Sequence, residues 1–190
     1  MLRHYVYSLR VTATRARVIE AAIDLVGTEG LRALTHARVD ERAGLPRGST
    51  SNYFRSRQAL LSGVVDGLVE HDLPAVGVAF SANSPDELVT ALCAVFEHLA
   101  SANRTVTTAR LVLFMEASHN AALREALSRG RASMETLVVV ALARLGAREP
   151  HTAATAIAAC SEGLVLHRIA RHDTTDPRPI FELVVRAALA

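Results

Sequence analysis

A chain of 190 residues has room for one sizeable domain or for a small and a medium one; half of it is apolar, yet only 4% is aromatic and Trp is absent, so its core must be built mainly from Ala, Leu and Val in helices. No stretch approaches the roughly 18 uninterrupted apolar residues of a membrane span, and the start MLRHYVYSLR lacks the apolar run of a secretory leader. Cys93 and Cys160 read as small hydrophobes of a reducing cytoplasm. All 21 basic residues are Arg, and the net charge of +2 hides an asymmetry: residues 1–57 hold ten Arg against five acids, residues 58–190 eleven against fourteen, so the N-terminal third is the candidate to meet a polyanion.

In chain order, Met1 to Val11 reads as an arm, in which Arg3 and Arg10 could touch DNA as basic arms do in the minor groove. Thr12 to Thr28 forms a first helix, with Val18, Ala21, Ala22, Leu25 and Val26 on one face. Gly27 and Gly30 surround its end, and Thr35 is a suitable N-cap for the second helix. Val39, Ala43, Leu45, Thr50 and Tyr53 have the spacing for two short helices to share a small core. Gly44 falls where the second helix must stop, in the left-handed turn that favours Gly, and Pro46 suits the opening of the next helix. Arg47 to Tyr53 is the third helix. Its Arg47, Gly48, Ser49, Ser51 and Asn52 are, apart from the one Arg, short and polar, a surface that approaches base edges and phosphates closely and makes poor core. Asp40, one turn before Gly44, needs a partner if buried: Arg38, Arg42 or a backbone N–H.

Ser56 caps a fourth helix that runs to about Leu73 and stops before Pro74; Pro74 to Asn83 has no clear period. Ser84-Pro85-Asp86-Glu87 is a capping box opening a helix to about Ala100, with Leu88, Leu92, Val95 and Leu99 on one face. Further helices cover about Arg104 to Ala117, Ala121 to Leu145 ending at Gly146, Pro150 to Arg171, and a short last one from near Pro177. The reading is all-α, with nine helices.

The run from Val18 to Leu61 resembles the DNA-binding segment of the TetR family of bacterial transcriptional regulators. The residues that carry the likeness are Gly30, Leu34-Thr35, Ala43-Gly44-Leu45, Arg47-Gly48-Ser49, Tyr53-Phe54, Ser56-Arg57 and Ala59-Leu60-Leu61. Where the family usually has a small residue this chain has Asp40, and where it often has a phosphate-contacting Tyr this chain has Ser51. The resemblance implies an N-terminal helix-turn-helix DNA-binding domain, residues 1–56 with the arm, followed by a helical ligand-binding and dimerisation domain, residues 57–190. It implies a repressor that binds a double-stranded operator with an inverted repeat as a homodimer, paired through its last two helices, and that a small-molecule effector releases. DNA would be contacted by Thr35, Arg47, Gly48, Ser49, Ser51, Asn52, Tyr53 and Arg57, with Thr35, Tyr53 and Arg57 mainly on phosphates. The effector would be lined by Phe96, Arg110, Phe114, Glu116, His119 and Met134, of which the Phe and Met residues also suit plain core.

No Cys-x-x-Cys, His-Glu-x-x-His, P-loop or Gly-x-Ser-x-Gly is present, so the sequence points away from an enzyme and implies no cofactor and no metal. Glu116 and His119, three apart on a helix, do not make a metal site alone. The alternative reading is a helical small-molecule-binding or interaction protein whose helix-turn-helix does not bind DNA.

Overall fold

The structure, a computed structural model, describes the backbone of residues 2–190 and the side chains of residues 12–190 other than 75 and 133. Among the described residues there are nine α-helices and no strand: α1 (Leu2–Glu29), α2 (His36–Arg42), α3 (Ser49–Tyr53), α4 (Arg57–Ala79), α5 (Pro85–Ala100), α6 (Arg104–Ala117), α7 (Ala121–Arg144), α8 (Pro150–Ala170) and α9 (Arg178–Ala188), with a single 3-10 turn, Leu31–Ala33. None of the helices is long and apolar enough to cross a membrane.

Two helix ends differ from the sequence-based expectation. The segment read as an arm is helical from Leu2, because nothing between it and Thr12 is Pro or Gly to interrupt the first helix. The side chains of Arg3 and Arg10 lie outside the described residues. Helix α4 passes through Pro74 and ends at Ala79. Proline removes one i to i−4 bond, and the far end of the helix is tied down instead: Phe80 N–H bonds Val76 O at 3.0 Å, and the Arg144 guanidinium donates to Ala82 O at 2.8 Å and Phe80 O at 3.4 Å. Carbonyls of the turn just beyond the helix are thus taken by an α7 side chain.

Other ends follow their caps. Ser56 Oγ accepts Ala59 N–H at 3.1 Å, and Ser84 Oγ accepts Glu87 N–H at 3.2 Å. The Glu87 carboxylate reaches one residue further back than the expected box, to Asn83 N–H at 2.9 Å. Gly146 (φ 95°) closes α7, with Ala147 N–H on Leu142 O at 3.0 Å.

The chain divides into two compact units. One comprises everything up to Leu68 together with Thr108–Leu127, the other Val69–Thr107 with Ser128–Ala190, so compactness does not follow the division at 56 and 57. In the first, α1 buries the predicted face Val18, Ala21, Ala22, Leu25 and Val26 against Leu34, Val39, Phe54 and the opening of α4 (Leu60, Leu61, Val64, Val65). Glycines let α4 come close: a Cβ on Gly63 would meet Phe54 Cζ at 2.8 Å, and one on Gly67 would overlap Ile19 Cγ2. In the second unit α5, α8 and α9 pack together around Leu88, Leu92, Phe96, Ile157, Phe181 and Val185. Cys93 and Cys160 are free and half-buried, and burial pushes both thiols up, so neither is an activated nucleophile.

Candidate nucleic-acid interface

The interface is built on one buried carboxylate. Asp40 is 2% exposed. Its Oδ1 accepts the Thr50 N–H at 2.7 Å and the Thr50 hydroxyl at 2.6 Å, and its Oδ2 accepts the Gly48 N–H at 2.7 Å. Of the partners open to it in the sequence, it takes backbone N–H groups, not Arg38 or Arg42. Its own carbonyl accepts Leu45 N–H at 2.8 Å, closing the end of α2 through Gly44 (φ 61°). One residue therefore ties the last turn of α2 to the first turn of α3. Burial pushes the Asp40 carboxyl up, but the hydrogen bonds from the Thr50 hydroxyl, Thr50 N–H and Gly48 N–H, helped by nearby His36, outweigh it and hold the pKa below its ordinary 3.8.

This clamp explains Gly48. It sits at φ 89° with nothing within 4 Å of where a Cβ would be, so the backbone conformation and not lack of space asks for glycine. It also corrects the start of the third helix. Arg47 and Gly48 lie in the turn, and α3 begins at Ser49, whose hydroxyl donates to Pro46 O at 2.6 Å. Of the expected DNA-facing residues, Gly48 and Ser49 thus have their polar groups engaged in the turn. Arg47, Ser51 and Asn52 are exposed, without a side-chain partner among the described residues, and Tyr53 is half-buried. Thr50 is fully buried beside Asp40.

Around α3 the neighbouring turns are stitched together. Thr35 Oγ1 caps α2, accepting Arg38 N–H at 3.3 Å. The His36 ring donates from Nε2 to Phe54 O at 2.6 Å, a carbonyl that can only accept. Arg57, at the first turn of α4, is exposed, and its guanidinium donates to Leu31 O at 2.9 Å and to Leu34 O. Arg17 donates to Ala43 O at 2.6 Å, and the Arg15 guanidinium lies 5.5 Å over the Phe54 ring. Glu29 bridges Arg38 at 2.6 Å and Arg42 at 2.5 Å, and Arg42 also pairs with Asp24. The Arg38 hydrogen bond is the main reason Glu29 titrates below its usual range. Sequence reasoning asks for a partner for Asp40 and puts Thr50 in the core, but does not join the two. It does not single out His36, and no local pattern would do so, because the partner of that ring lies 18 residues away.

The six effector candidates do not form one cluster within either unit. Arg110, Phe114, Glu116 and His119 belong to the first, Phe96 and Met134 to the second. Phe96 is core: it is 3% exposed, edge-on to Phe181 with ring centres 6.5 Å apart, and Arg168 lies 4.7 Å over its ring. Phe114 is 38% exposed on α6, His119 is exposed, and Glu116 and Met134 are half-buried. A groove of about 310 Å³ lies between α8 and α9, lined by Ala153, Ala156, Leu183, Val184 and Ala187 among others, and none of the six reaches it.

Two family patterns match the chain. Bacterial regulatory proteins of the tetR family match residues 18–64, and the tetracyclin repressor-like C-terminal domain matches residues 83–190, more than half of the chain. No curated protein matches by sequence. Among solved structures, a member of the TetR family from Streptomyces coelicolor A3 is 24% identical, with a TM-score of 0.73 over 93% of this chain and 98% of that one. A TetR transcription regulator from Haloarcula marismortui shares the fold at 13% identity, with a TM-score of 0.79 over 94% of this chain and 100% of that one. The multidrug binding protein EbrR, solved with ethidium, is 24% identical, with a TM-score of 0.74 over 93% of this chain and 99% of that one.

Proposed function

The chain belongs to the TetR family of bacterial transcriptional regulators, and we propose that it works in the cytoplasm as a homodimeric repressor that binds an inverted-repeat operator and is released by a small molecule. The observation that carries the DNA-binding part is the row Arg47, Ser51 and Asn52, exposed on a turn and helix that a buried carboxylate fixes in place. In a dimer, two such helices enter major grooves whose half-sites lie about one helical turn, roughly 34–36 Å, apart or at a multiple of it. Arg47 reaches base edges, where Arg pairs bidentately with guanine, and Ser51 and Asn52 read beside it; Thr35 and Tyr53 hold phosphates. Arg47→Ala is expected to relax sequence preference at one base position per half-site by about 1–3 kcal/mol. Competition binding with single-base operator variants checks this, and an unchanged ranking of the variants would remove Arg47 from the reading.

The dimer reading is supported by an outward stripe on the last two helices. Ala156, Ala159 and Leu166 on α8 and Leu183 and Ala187 on α9 are at least partly exposed, Leu183 at 70%, whereas Ala153, Ile157 and Val185 supply the internal core. Small residues at helical spacing let a second pair of helices approach closely. Leu183→Arg is expected to shift the protein to monomer in analytical ultracentrifugation and to weaken operator binding by at least tenfold, while the thermal midpoint of the monomer stays near that of the parent at low concentration. A variant that stayed dimeric would move the interface elsewhere.

Response to a small molecule is supported by the family and by the ethidium complex of the structural neighbour EbrR. Phe114, Glu116, His119, Arg110 and Met134 remain candidate contacts, whereas Phe96 acts as core. Release requires the ligand to prefer the state in which the two recognition helices no longer match the operator.

A further inference from the structure

We propose that the DNA backbone beside the recognition helix is gripped by Arg32 and Arg55, on two turns that Arg57 and His36 hold side by side; the inference rests on the DNA-binding reading above. Eight arginines between Thr12 and Arg57 have described side chains. Arg15, Arg17, Arg38, Arg42 and Arg57 are each committed inside the unit, to a ring, a carboxylate or a carbonyl. Arg32, Arg47 and Arg55 are exposed, and none has a hydrogen bond or ion pair among the described residues. Arg47 belongs to the base-reading row. Arg32 and Arg55 are left.

They are brought to one place by two stitches. Arg57 donates to the carbonyls of Leu31, the residue before Arg32, and of Leu34. His36 donates to the carbonyl of Phe54, the residue before Arg55. The turn before α2 and the turn after α3 therefore run side by side, with Arg32 on one and Arg55 on the other. Thr35 lies between the stitches. Its hydroxyl oxygen already accepts in the helix cap, which leaves its O–H to donate to a phosphate oxygen. Two unpartnered cations and a hydroxyl donor beside the recognition helix form a site for a bridging phosphate.

The physical distinction is in the cations already occupied. Arg38 and Arg42 are neutralised by Glu29 and Asp24 together, so bringing a phosphate to them releases few counterions. Arg57 spends two of its five N–H donors on the Leu31 and Leu34 carbonyls, which fixes its guanidinium but leaves its charge in place. Arg32 and Arg55 bring their full charge to the contact.

The test is binding to an operator fragment and to an unrelated duplex across a range of salt, with thermal midpoints measured on the same preparations. Arg32→Ala and Arg55→Ala are each expected to reduce the salt slope by about one per bound protomer. They should weaken both duplexes by the same factor, add in the double variant, and leave the midpoint within error of the parent. Arg38→Ala is expected to change the slope far less, although it removes the same charge from the same unit. Arg57→Ala is expected to lower the midpoint, because it leaves the Leu31 and Leu34 carbonyls without their donor. Unchanged slopes in Arg32→Ala and Arg55→Ala, with the parent still binding its operator, would overturn this inference alone. A parent that binds neither duplex would overturn the inference and the DNA-binding reading together.

Discussion

Asp40→Ala is expected to lower the stability of the DNA-binding unit by about 2–4 kcal/mol and to abolish measurable operator binding at salt concentrations where the parent binds. Three donors lose their acceptor at once: the N–H of Gly48, and the N–H and hydroxyl of Thr50. Each buried donor left unpaired costs about 1–3 kcal/mol, and relief of the carboxylate's own burial offsets part of the sum. Function falls further than stability because the clamp sets where α3 begins. Asp40→Asn, which keeps one acceptor oxygen, should lie between the two. Thr50→Val on the Asp40→Ala background should recover about 1 kcal/mol, since it removes one of the orphaned donors. Denaturant unfolding of the parent, of Asp40→Ala and Thr50→Val singly and of the two combined checks the coupling, and strict additivity would show that the two side chains do not act as a unit. The pH dependence has a definite sign. A carboxyl held below its ordinary 3.8 contributes stability above that value and loses it as pH falls through the folded-state pKa. The parent is therefore expected to lose this contribution only below about pH 4, and the acid limb of the Asp40→Asn stability profile should be shallower.

Gly67→Ala is expected to destabilise the same unit by about 1–2 kcal/mol, against the direction that helix propensity alone dictates. Replacing a glycine inside a helix with alanine ordinarily gains about 0.5–1 kcal/mol. Here the added Cβ would overlap Ile19 Cγ2. That methyl is on a β-branched side chain whose rotamer is nearly fixed in a helix, and Ile19 itself is buried. The overlap is relieved only if α4 moves from α1, at about 1–3 kcal/mol for the overpacking. Such a movement also drags Arg57 off the Leu31 and Leu34 carbonyls, so operator affinity should fall with stability. Gly77→Ala provides the comparison within the same helix, where no atom lies within 4 Å of the new Cβ. It should be neutral or stabilising by up to about 1 kcal/mol. Thermal unfolding of both variants separates the explanations: if Gly67→Ala matched Gly77→Ala, close approach of the two helices would not be what holds α4.

Legibility in the sequence tracks the range of the interactions. Thr35, Ser56 and Ser84 cap helices whose partners lie three residues away, and all three are legible. Gly44 announces its turn because a left-handed residue leaves a compositional mark. Pro74 misleads because the arginine that ties down the end of its helix comes from α7, more than sixty residues on. Asp40 is recognisable as a problem, a carboxylate at a packed position, but its answer depends on Thr50 and Gly48 across the turn. Arg57 is legible by its position and not by its partners. Its position matches, yet the carbonyls it holds are set by how the turn at Leu31 packs, 26 residues earlier. Phe96 has the composition of a pocket residue and becomes core because α9 brings Phe181 against it.

The measurement that tests the central claim most directly is protection of duplex DNA from the chain's own upstream region, at several salt concentrations, beside an unrelated fragment. The account predicts a protected inverted repeat on the first fragment only, with affinity that falls steeply as salt rises. Equal binding to both fragments, or binding to neither by protein shown to carry no ligand, would contradict it.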